Sequence, residues 1–386
     1  MTKATIKGSN QTGVRVHNER VVLSLIRRHG KLAKADIARL SGLSAQTASV
    51  LMRGLVAEGL VLAGDPRKGR VGQPSVPMSL NPRGAFSLGL KIGRRTSEMV
   101  LMDFTGGVLD RRAIFYPQPF RAEVLEFATG AARDLCNLLS AEERARIAGL
   151  GVAQPNDLWA WGADKDWRSD GITDDLARAT GLPLFIANDV TAACGAEQAF
   201  GKDAPSDFVY FFVGAFVGGG IVMDGRLIPG RMDNAGALGS LPVADGKGGV
   251  RQLIDVSSIH LLERAAREAG VRHVDLWHES SVWTSLGPLL DAWIDRSAEG
   301  LARATLAAMA VYDFEAAVID GSFTPEIRAR LVAATAAALS RLDQRGLTPI
   351  RVVEGTVGRT AREVGSASLP FFARYFVDHR VLYSER

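Results

Sequence analysis

The amino-terminal part of the chain has apolar positions spaced for three short helices. Over residues 18–28 they recur with the three- and four-residue spacing of an amphipathic helix. The pattern predicts a second helix over residues 34–41, a turn at Gly42, and a third helix that runs from an N-cap at Ser44 to about residue 58. Two short helices, a glycine turn and a third helix form a helix-turn-helix.

The third predicted helix has a polar face opposite its apolar face. At about 100° per residue, Ser49 and Arg53 fall on the same side as Gln46. A recognition helix presents such a face to the major groove, where a glutamine can pair with adenine. The alternative is the solvated face of a structural helix. We predict that the DNA-binding residues here are Ser44, Gln46, Thr47, Ser49 and Arg53, with Arg53 on a phosphate.

A basic, glycine-rich loop separates two strand patterns at residues 60–63 and 76–80. Strand, loop and strand directly after a helix-turn-helix are typical of a wing. The glycines in the loop let its backbone approach DNA closely. We therefore predict that Arg67, Lys68 and Arg70 contact phosphate or a narrow minor groove.

The distribution of charge supports a nucleic-acid partner for this part of the chain. Residues 1–90 contain 14 lysines and arginines but four acidic residues, so their net charge is +10, while the remaining 296 residues carry −6. A basic head on an acidic body is expected when only the head meets a polyanion.

Composition excludes several other classes of protein. Cys136 and Cys194 are the only cysteines, which argues against a disulfide framework and a cysteine zinc site. The six histidines show no ligand spacing, so no metal site is predicted. No apolar run reaches the roughly 18 residues of a membrane span, and the amino terminus lacks the apolar segment of a secretory signal. These features predict a cytoplasmic protein without membrane contact.

After residue 84 the apolar period changes to two, which is typical of strands. Three strands joined by turns are predicted over residues 86–116, followed by a long helix and an apolar strand at residues 147–152. The same unit returns over residues 208–228, with a glycine-rich turn at 214–220. A duplicated unit of this kind indicates two related α/β lobes that face a cleft.

At these segments the chain resembles the ROK family of repressors and sugar kinases, within the actin/hexokinase-like superfamily. The matching motifs are IANDVTAA at residues 186–193, GAFVGGG at 214–220, NAGALG at 234–239, and the stretch 355–367. The resemblance implies an α/β fold with an N-terminal winged helix-turn-helix at residues 1–80 and a two-lobed ROK domain at 84–386. The first lobe would span about 84–187 plus a C-terminal helix, and the second about 188–360.

Departures from the family motifs bear on catalysis. Family kinases begin with an Asp-Ile-Gly-Gly-Thr type of loop, whereas this chain has Lys91 in place of the acid and Arg94 and Arg95 in the turn. In the second phosphate loop, Phe216 stands where a glycine is needed. Phosphoryl transfer depends on positioning and charge stabilisation, so we expect that the protein is not an enzyme. An active sugar kinase that carries a DNA-binding domain is the alternative.

The resemblance also implies a ligand site in the cleft. Asn188 and Asp189 match the pair that binds sugar hydroxyls in family kinases, although Asn188-Asp189 could merely cap the next helix. The predicted ligand-binding residues are Asn188, Asp189, Gln154, Gly219 and Gly236. Three tryptophans in the insertion 157–170 are candidates for stacking on a sugar or for packing.

Two other family features are missing. Ala237 and Ser240 replace the glutamate and histidine that contact sugar in the family, and the segment 245–252 contains none of the cysteines of the family zinc loop. We therefore predict no metal and no cofactor.

Together these features predict a transcriptional regulator, most often a repressor in this family, of carbohydrate uptake or metabolism genes. Its partners would be an inverted-repeat operator, a small-molecule effector that is a sugar or sugar derivative, and further copies of itself in a homodimer or homotetramer. A regulator with a non-sugar effector remains an alternative.

Overall fold

The computed structural model describes residues 11–66, 76–155, 167, 172–244, 248–271, 276–277 and 280–377. Its amino-terminal part, called the head below, consists of α1 (Gln11–His29), β1 (Leu32–Ala33), α2 (Lys34–Ser41), α3 (Ala45–Ala57), β2 (Val61–Ala63) and β3 (Pro77–Leu80). Helix α1 begins before the predicted residue 18, and an ion pair of 2.8 Å between Arg15 and Glu19 links successive turns there.

Local signals position the helices of the head. Gly42 adopts a left-handed backbone conformation with φ 71°, which ends α2. Ser44 Oγ accepts a hydrogen bond of 3.1 Å from the amide of Thr47 and so caps α3. The three strands form an antiparallel sheet in the order β1-β3-β2. The head is therefore a winged helix-turn-helix. The predicted wing residues Arg67, Lys68 and Arg70 lie outside the described residues.

The first lobe of the body is a five-stranded sheet covered by helices. Its elements are β4 (Phe86–Ile92), β5 (Thr96–Asp103), β6 (Val108–Phe115), α4 (Arg121–Cys136), α5 (Ala141–Arg144), β7 (Ile147–Gln154), α6 (Thr173–Thr180) and β8 (Leu184–Asn188). The strand order is β6-β5-β4-β7-β8. Apolar side chains of β4 and β7 pack against α4 and α6 to form the core of this lobe.

The second lobe contains another five-stranded sheet, in the order β11-β10-β9-β14-β15. Its elements are α7 (Asp189–Phe200), β9 (Phe208–Val213), β10 (Val217–Met223), β11 (Arg226–Leu227), β12 (Pro242–Ala244), β13 (Val250–Gln252), α8 (Ile254–Ser257), α9 (Ile259–Glu268), α10 (Ser280–Ser285), α11 (Pro288–Met309), β14 (Ala316–Gly321), α12 (Pro325–Ser340) and β15 (Arg351–Glu354). The chain then returns to the first lobe as α13 (Ala361–Arg374).

The two sheets have the same topology, as the repeated sequence pattern predicts. In each sheet three antiparallel strands come first along the chain. A fourth strand then pairs in parallel with the first of them, and a fifth strand pairs in parallel with the fourth. This arrangement places the carboxyl ends of β4, β7, β9 and β14 toward the same interlobe region, where ligands bind in open α/β sheets.

The glycine-rich turn is shorter than predicted. Only residues 214–216 form the turn, because Gly218, Gly219 and Gly220 belong to strand β10. A Cβ on Gly218 would lie 2.9 Å from Val190, and one on Gly220 would lie 2.5 Å from Cys194. These glycines therefore allow α7 to pack closely on the sheet.

Residues 81–84, which connect the head to the body, form a tight turn. The Asn81 side chain donates a hydrogen bond of 2.6 Å to the carbonyl of Gly59, and the amide of Gly84 donates one of 2.9 Å to the carbonyl of Asn81. The head is thus joined to the body by ordered backbone.

Candidate functional site

The exposed face of α3 contains the residues predicted to read DNA. Gln46 and Arg53 are exposed and Ser49 is half-buried, whereas the apolar residues of the opposite face are buried. Ser44 and Thr47 are already hydrogen-bonded to each other through their hydroxyls at 2.8 Å. These two residues begin the helix, and Gln46, Ser49 and Arg53 remain directed away from the core of the head.

Sequence reasoning missed one residue of this face. Val50 is 52% exposed and follows Gln46 by one helical turn, between Gln46 and Arg53. The same helical projection that selected Ser49 and Arg53 contains Val50. Its helical spacing was the available signal, whereas its apolar side chain is not of the type that predicts a base contact.

The head packs on the body through a half-buried arginine of α1. The Arg27 guanidinium lies over the rings of Phe200, Phe372 and Phe376, at 5.8, 5.3 and 5.2 Å from their centroids. It also donates a hydrogen bond to the carbonyl of Ala199. Burial lowers the pKa of Arg27 to about 10, which leaves it charged at neutral pH. This contact fixes α1 against α7 and α13.

Backbone contacts strengthen the same junction. Arg20 donates a hydrogen bond of 2.9 Å to the carbonyl of Ala373, and the amide of Val377 donates one of 2.9 Å to Ser24 Oγ. One apolar core includes side chains of both parts, with α1, α2 and α3 of the head beside Phe371 and Phe376 of the body. The head and the body are therefore continuous in packing.

In the cleft, Asn188 caps helix α7. Its Oδ1 accepts hydrogen bonds from the amides of Val190 and Thr191 at 3.0 and 3.1 Å. Asn188 thus caps the following helix, which was the alternative to sugar binding for this residue. Because these bonds use Oδ1, the Nδ2 group of Asn188 is the part of the side chain that can donate to a ligand.

The neighbouring Asp189 is 6% exposed and pairs with a buried arginine. Arg362 Nη1 lies 3.3 Å from Asp189 Oδ2, and Arg362 Nη2 lies 3.2 Å from Ser322 Oγ. The Arg362 guanidinium also lies over the ring of Phe212 at 4.8 Å. Sequence reasoning missed Arg362, because its partner Asp189 is 173 positions away along the chain.

The other predicted ligand residues lie around this pair in different roles. Gln154 ends β7 opposite Asn188, and its Oε1 is buried without a hydrogen-bond partner among the described residues. A Cβ on Gly219 would lie 2.3 Å from Leu238, and one on Gly236 would lie 2.6 Å from the backbone of Gly220. Gln154 therefore offers a free acceptor, whereas both glycines serve close packing.

A buried ionic cluster occupies the position of the kinase acid. Lys91 is 2% exposed, and its Nζ donates to Glu98 at 3.2 Å and to the carbonyl of Thr96 at 3.3 Å. Arg111 bridges Glu98 and Glu363 at 2.8 and 3.2 Å. This cluster fills the interior near the amino terminus of α13.

Burial and charge set the protonation of this cluster. Burial lowers the pKa of Lys91, although Glu98 opposes that shift. Burial raises the pKa of Glu98, but the cations Lys91 and Arg111 outweigh it and hold that pKa well below its usual range. For Glu363, burial and the charge of Glu98 raise the pKa to about 8. Near neutral pH Glu98 is thus a carboxylate, while Glu363 keeps its proton.

The two turns at the phosphate-loop positions touch each other across the cleft. The Arg94 guanidinium lies 5.3 Å from the centroid of Phe216, whose ring lies 4.8 Å from that of His260. Beside them, Arg95 of the first lobe forms an ion pair of 3.3 Å with Glu263 of the second. Side chains thus bridge the two turns that would have to surround a polyphosphate.

Buried acids fix the segment that leads into α13. The amides of Thr356 and Val357 donate to the Glu197 carboxylate at 3.0 Å, and the amide of Gly358 donates to Asp320 at 2.8 Å. Burial raises the pKa of Asp320 to about 6. These contacts hold the start of α13 on the second lobe, although the helix itself packs on the first.

Helix α13 lies between the cleft and the head. Its first turn contains Arg362 and Glu363 in the cleft, and its last turns contain Phe371 and Phe372 beside Arg27 of the head. Side chains of one helix thus contact both the cleft and the junction with the head.

The remaining predictions concern the tryptophans of the insertion 157–170, metal binding and membrane spans. Trp167 is buried in the first lobe, where its Nε1 donates to the carbonyl of Pro119 at 3.0 Å, while Trp159 and Trp161 lie outside the described residues. Within the described ranges, no group of three or more histidine, cysteine or acidic residues is arranged to hold a metal ion. In those same ranges, every helix is too short or too polar to cross a membrane.

Residues 87–252 match the model of the ROK family. The described structure is similar along most of its length to the crystal structure of a ROK family transcriptional regulator that is a homolog of the E. coli MLC protein. The TM-score is 0.71 at 20% identity, with 94% of this chain and 97% of that chain covered. The two chains therefore share a fold.

A kinase structure matches a smaller share of the chain. A ROK family glucokinase from Streptomyces griseus, solved with glucose and AMPPNP, matches with a TM-score of 0.62 at 19% identity, covering 74% of this chain and 99% of that chain. About a quarter of this chain therefore lies outside that match.

Sequence relatives include proteins that are named as regulators. The chain is 27% identical over 369 residues to an uncharacterized protein of Sinorhizobium fredii, covering 93% of this chain and 92% of the relative. It is 30% identical over 261 residues to a transcriptional regulator of Mycobacterium tuberculosis, with 64% and 58% covered. The match to the dual regulator NagC of Escherichia coli is 23% over 241 residues, with 58% and 57% covered. The alignments thus span under three fifths of the two named regulators.

Proposed function

We propose that this protein is a sequence-specific transcriptional regulator, a repressor of carbohydrate genes, whose DNA binding responds to a sugar-like effector. The observation that carries this proposal is the exposed face of α3, with Gln46, Ser49 and Arg53 directed outward from a head of net charge +10 over residues 1–90. A related protein, NagC, is named a DNA-binding transcriptional dual regulator, and a relative from another strain of Escherichia coli is named an N-acetylglucosamine repressor.

The effector site that we propose lies between the lobes, around Asp189. Its carboxylate can accept hydrogen bonds from ligand hydroxyls. The buried Oε1 of Gln154 and the side-chain Nδ2 of Asn188 lie at the ends of the adjoining strands. A ligand that competes with Arg362 for Asp189 would alter the position of α13. An effector changes DNA affinity only through its different affinities for two states, so a response of about 1–3 kcal/mol is expected.

The same geometry opposes phosphoryl transfer. Arg94 packs on Phe216 and Arg95 pairs with Glu263, so these side chains occupy the space between the turns. Lys91 forms an ion pair with Glu98. It is a cation at the position where the family kinases have the acidic residue that serves the metal–phosphate site. We therefore propose that the body binds its ligand without consuming it.

A coupled assay of ATP turnover tests this part of the proposal. We expect no sugar-dependent ADP release above background with glucose, N-acetylglucosamine or mannose at millimolar concentrations. A thermal-shift screen of the same sugars, their phosphates and polyols reports binding independently. Turnover that disappears in Asp189→Asn would establish a kinase and overturn the proposal.

We further propose that two heads bind one operator. A single winged helix makes too few contacts for a rare genomic site, so paired half-sites are expected, arranged as an inverted repeat and separated by whole helical turns. A homodimer or homotetramer would supply the pair. Light scattering at operator-binding concentrations checks the assembly, and a strict monomer would contradict it.

Two variants of α3 test the DNA-binding face directly. Gln46→Ala should lose about 1–3 kcal/mol of preference for the selected operator, because a base-edge contact disappears. Arg53→Ala should weaken binding to all sequences and reduce the salt slope by about one, because a phosphate contact disappears. Fluorescence anisotropy with operator and random DNA at several salt concentrations separates the two effects. Unchanged binding in both variants would refute the assignment.

A further inference from the structure

The DNA-binding face of α3 contains an apolar side chain among its polar ones. Val50 is 52% exposed, although the core-facing side of the helix already buries Ala48, Leu51 and Leu55. Nothing in the packing of the head requires an apolar residue at this position. An exposed valine between Gln46 and Arg53 is therefore available to contact an apolar group of a ligand.

Val50 borders a groove between α1 and α3. The groove has a volume of about 370 Å³, and its lining includes Val14, Asn18, Gln46 and Leu51. Val14 is also exposed, at 46%. The groove thus combines an apolar wall with the amide groups of Gln46 and Asn18 at its edge.

The charge around the groove favours DNA as its occupant. Arg15 lines the groove, Arg53 follows one turn later on α3, and the head as a whole is strongly basic. The major groove presents one apolar group that differs between bases, which is the 5-methyl group of thymine. A valine on a recognition helix is suited to contact that methyl group.

We propose that Val50 and the groove beside it receive the 5-methyl group of a thymine in each operator half-site. This inference rests on the proposed DNA-binding function. Val50 lies about 6 Å from Gln46 along the helix axis, and successive bases of one strand are about 3.4 Å apart. The thymine therefore lies within about two base pairs of the adenine that Gln46 is proposed to read.

Replacement of single thymines by deoxyuridine tests the proposal, because it removes only the methyl group. The operator is first selected from random DNA with the full-length protein, and each thymine is then replaced in turn. At one symmetric position, deoxyuridine should weaken binding of the unmodified protein about fourfold per half-site, as expected for one buried methyl group. Val50→Ala should bind the thymine operator more weakly and show no further loss at that position.

Val56→Ala is the matched control, since Val56 lies on the same helix, is 39% exposed, and lies about 9 Å further along the axis, outside the lining of the groove. This variant should retain the full sensitivity to deoxyuridine. Val50→Thr, which keeps the shape of the side chain, is expected to retain part of it.

The outcomes separate this inference from the proposed function. Selective operator binding that is insensitive to deoxyuridine at every position would overturn the role of Val50 and leave the regulator intact. Enrichment of no sequence would overturn the proposed function itself. A change of oligomeric state in Val50→Ala, with unaltered deoxyuridine sensitivity, would identify Val50 as a protein contact and also overturn the inference.

Discussion

Asp189→Ala is expected to lower the free energy of unfolding by about 3–5 kcal/mol, because it leaves the Arg362 guanidinium buried without its anionic partner. The two side chains are joined at 3.3 Å and are both almost fully buried. Asp189→Asn should cost less, since an amide oxygen can still accept from Arg362. Chemical denaturation of the full chain measures these differences.

Two comparisons make this expectation specific to a buried pair. Adding Arg362→Met to Asp189→Ala should restore part of the lost stability, because the unpaired charge is removed. Asp291→Ala breaks the exposed ion pair with Arg330, whose atoms are 2.6 Å apart, and should cost at most about 1 kcal/mol. Equal losses in Asp189→Ala and Asp291→Ala would contradict the interpretation.

Arg27→Ala should destabilise the protein by about 3 kcal/mol and loosen the head from the body. The substitution removes a desolvated cation from three aromatic rings, worth about 2 kcal/mol, together with the packing of its aliphatic stem. Denaturation gives the total loss, and hydrogen exchange of α1 locates it. We expect the amides of α1 to lose more protection than those of β4.

The adjacent Arg28 provides the control for this variant. Arg28 is exposed on the same helix, so Arg28→Ala should change stability by no more than about 0.5 kcal/mol. If both alanine variants were equally stable, the aromatic contacts of Arg27 would contribute nothing to the junction.

The sequence predicted the elements whose signals are local. Gly42 and Ser44 define the turn and cap between α2 and α3 within three residues, and both act as expected. Alternating apolar residues likewise predicted three strands over residues 86–116, where the structure has β4, β5 and β6. The repeated sheet followed, since the same pattern recurs after residue 208.

The contacts of the candidate sites could not be predicted in the same way. Lys91, Arg94 and Arg95 were visible as substitutions, but the partners that neutralise them lie on other strands and in the other lobe. Arg27 and Arg362 carry no local signal, because their surroundings come from α7, α13 and strand ends far away along the chain. Only the tertiary structure brings these groups together.

The junction between head and α13 has a consequence for the order of folding. It joins Ser24 to Val377 and Arg20 to Ala373, each across 353 positions of the chain. During synthesis the head leaves the ribosome first, and its body-facing apolar side remains uncovered until the segment with Phe371 and Phe376 has emerged. We therefore expect docking of the head to be a late event, so the proposed DNA-binding face is positioned only after both lobes have been made.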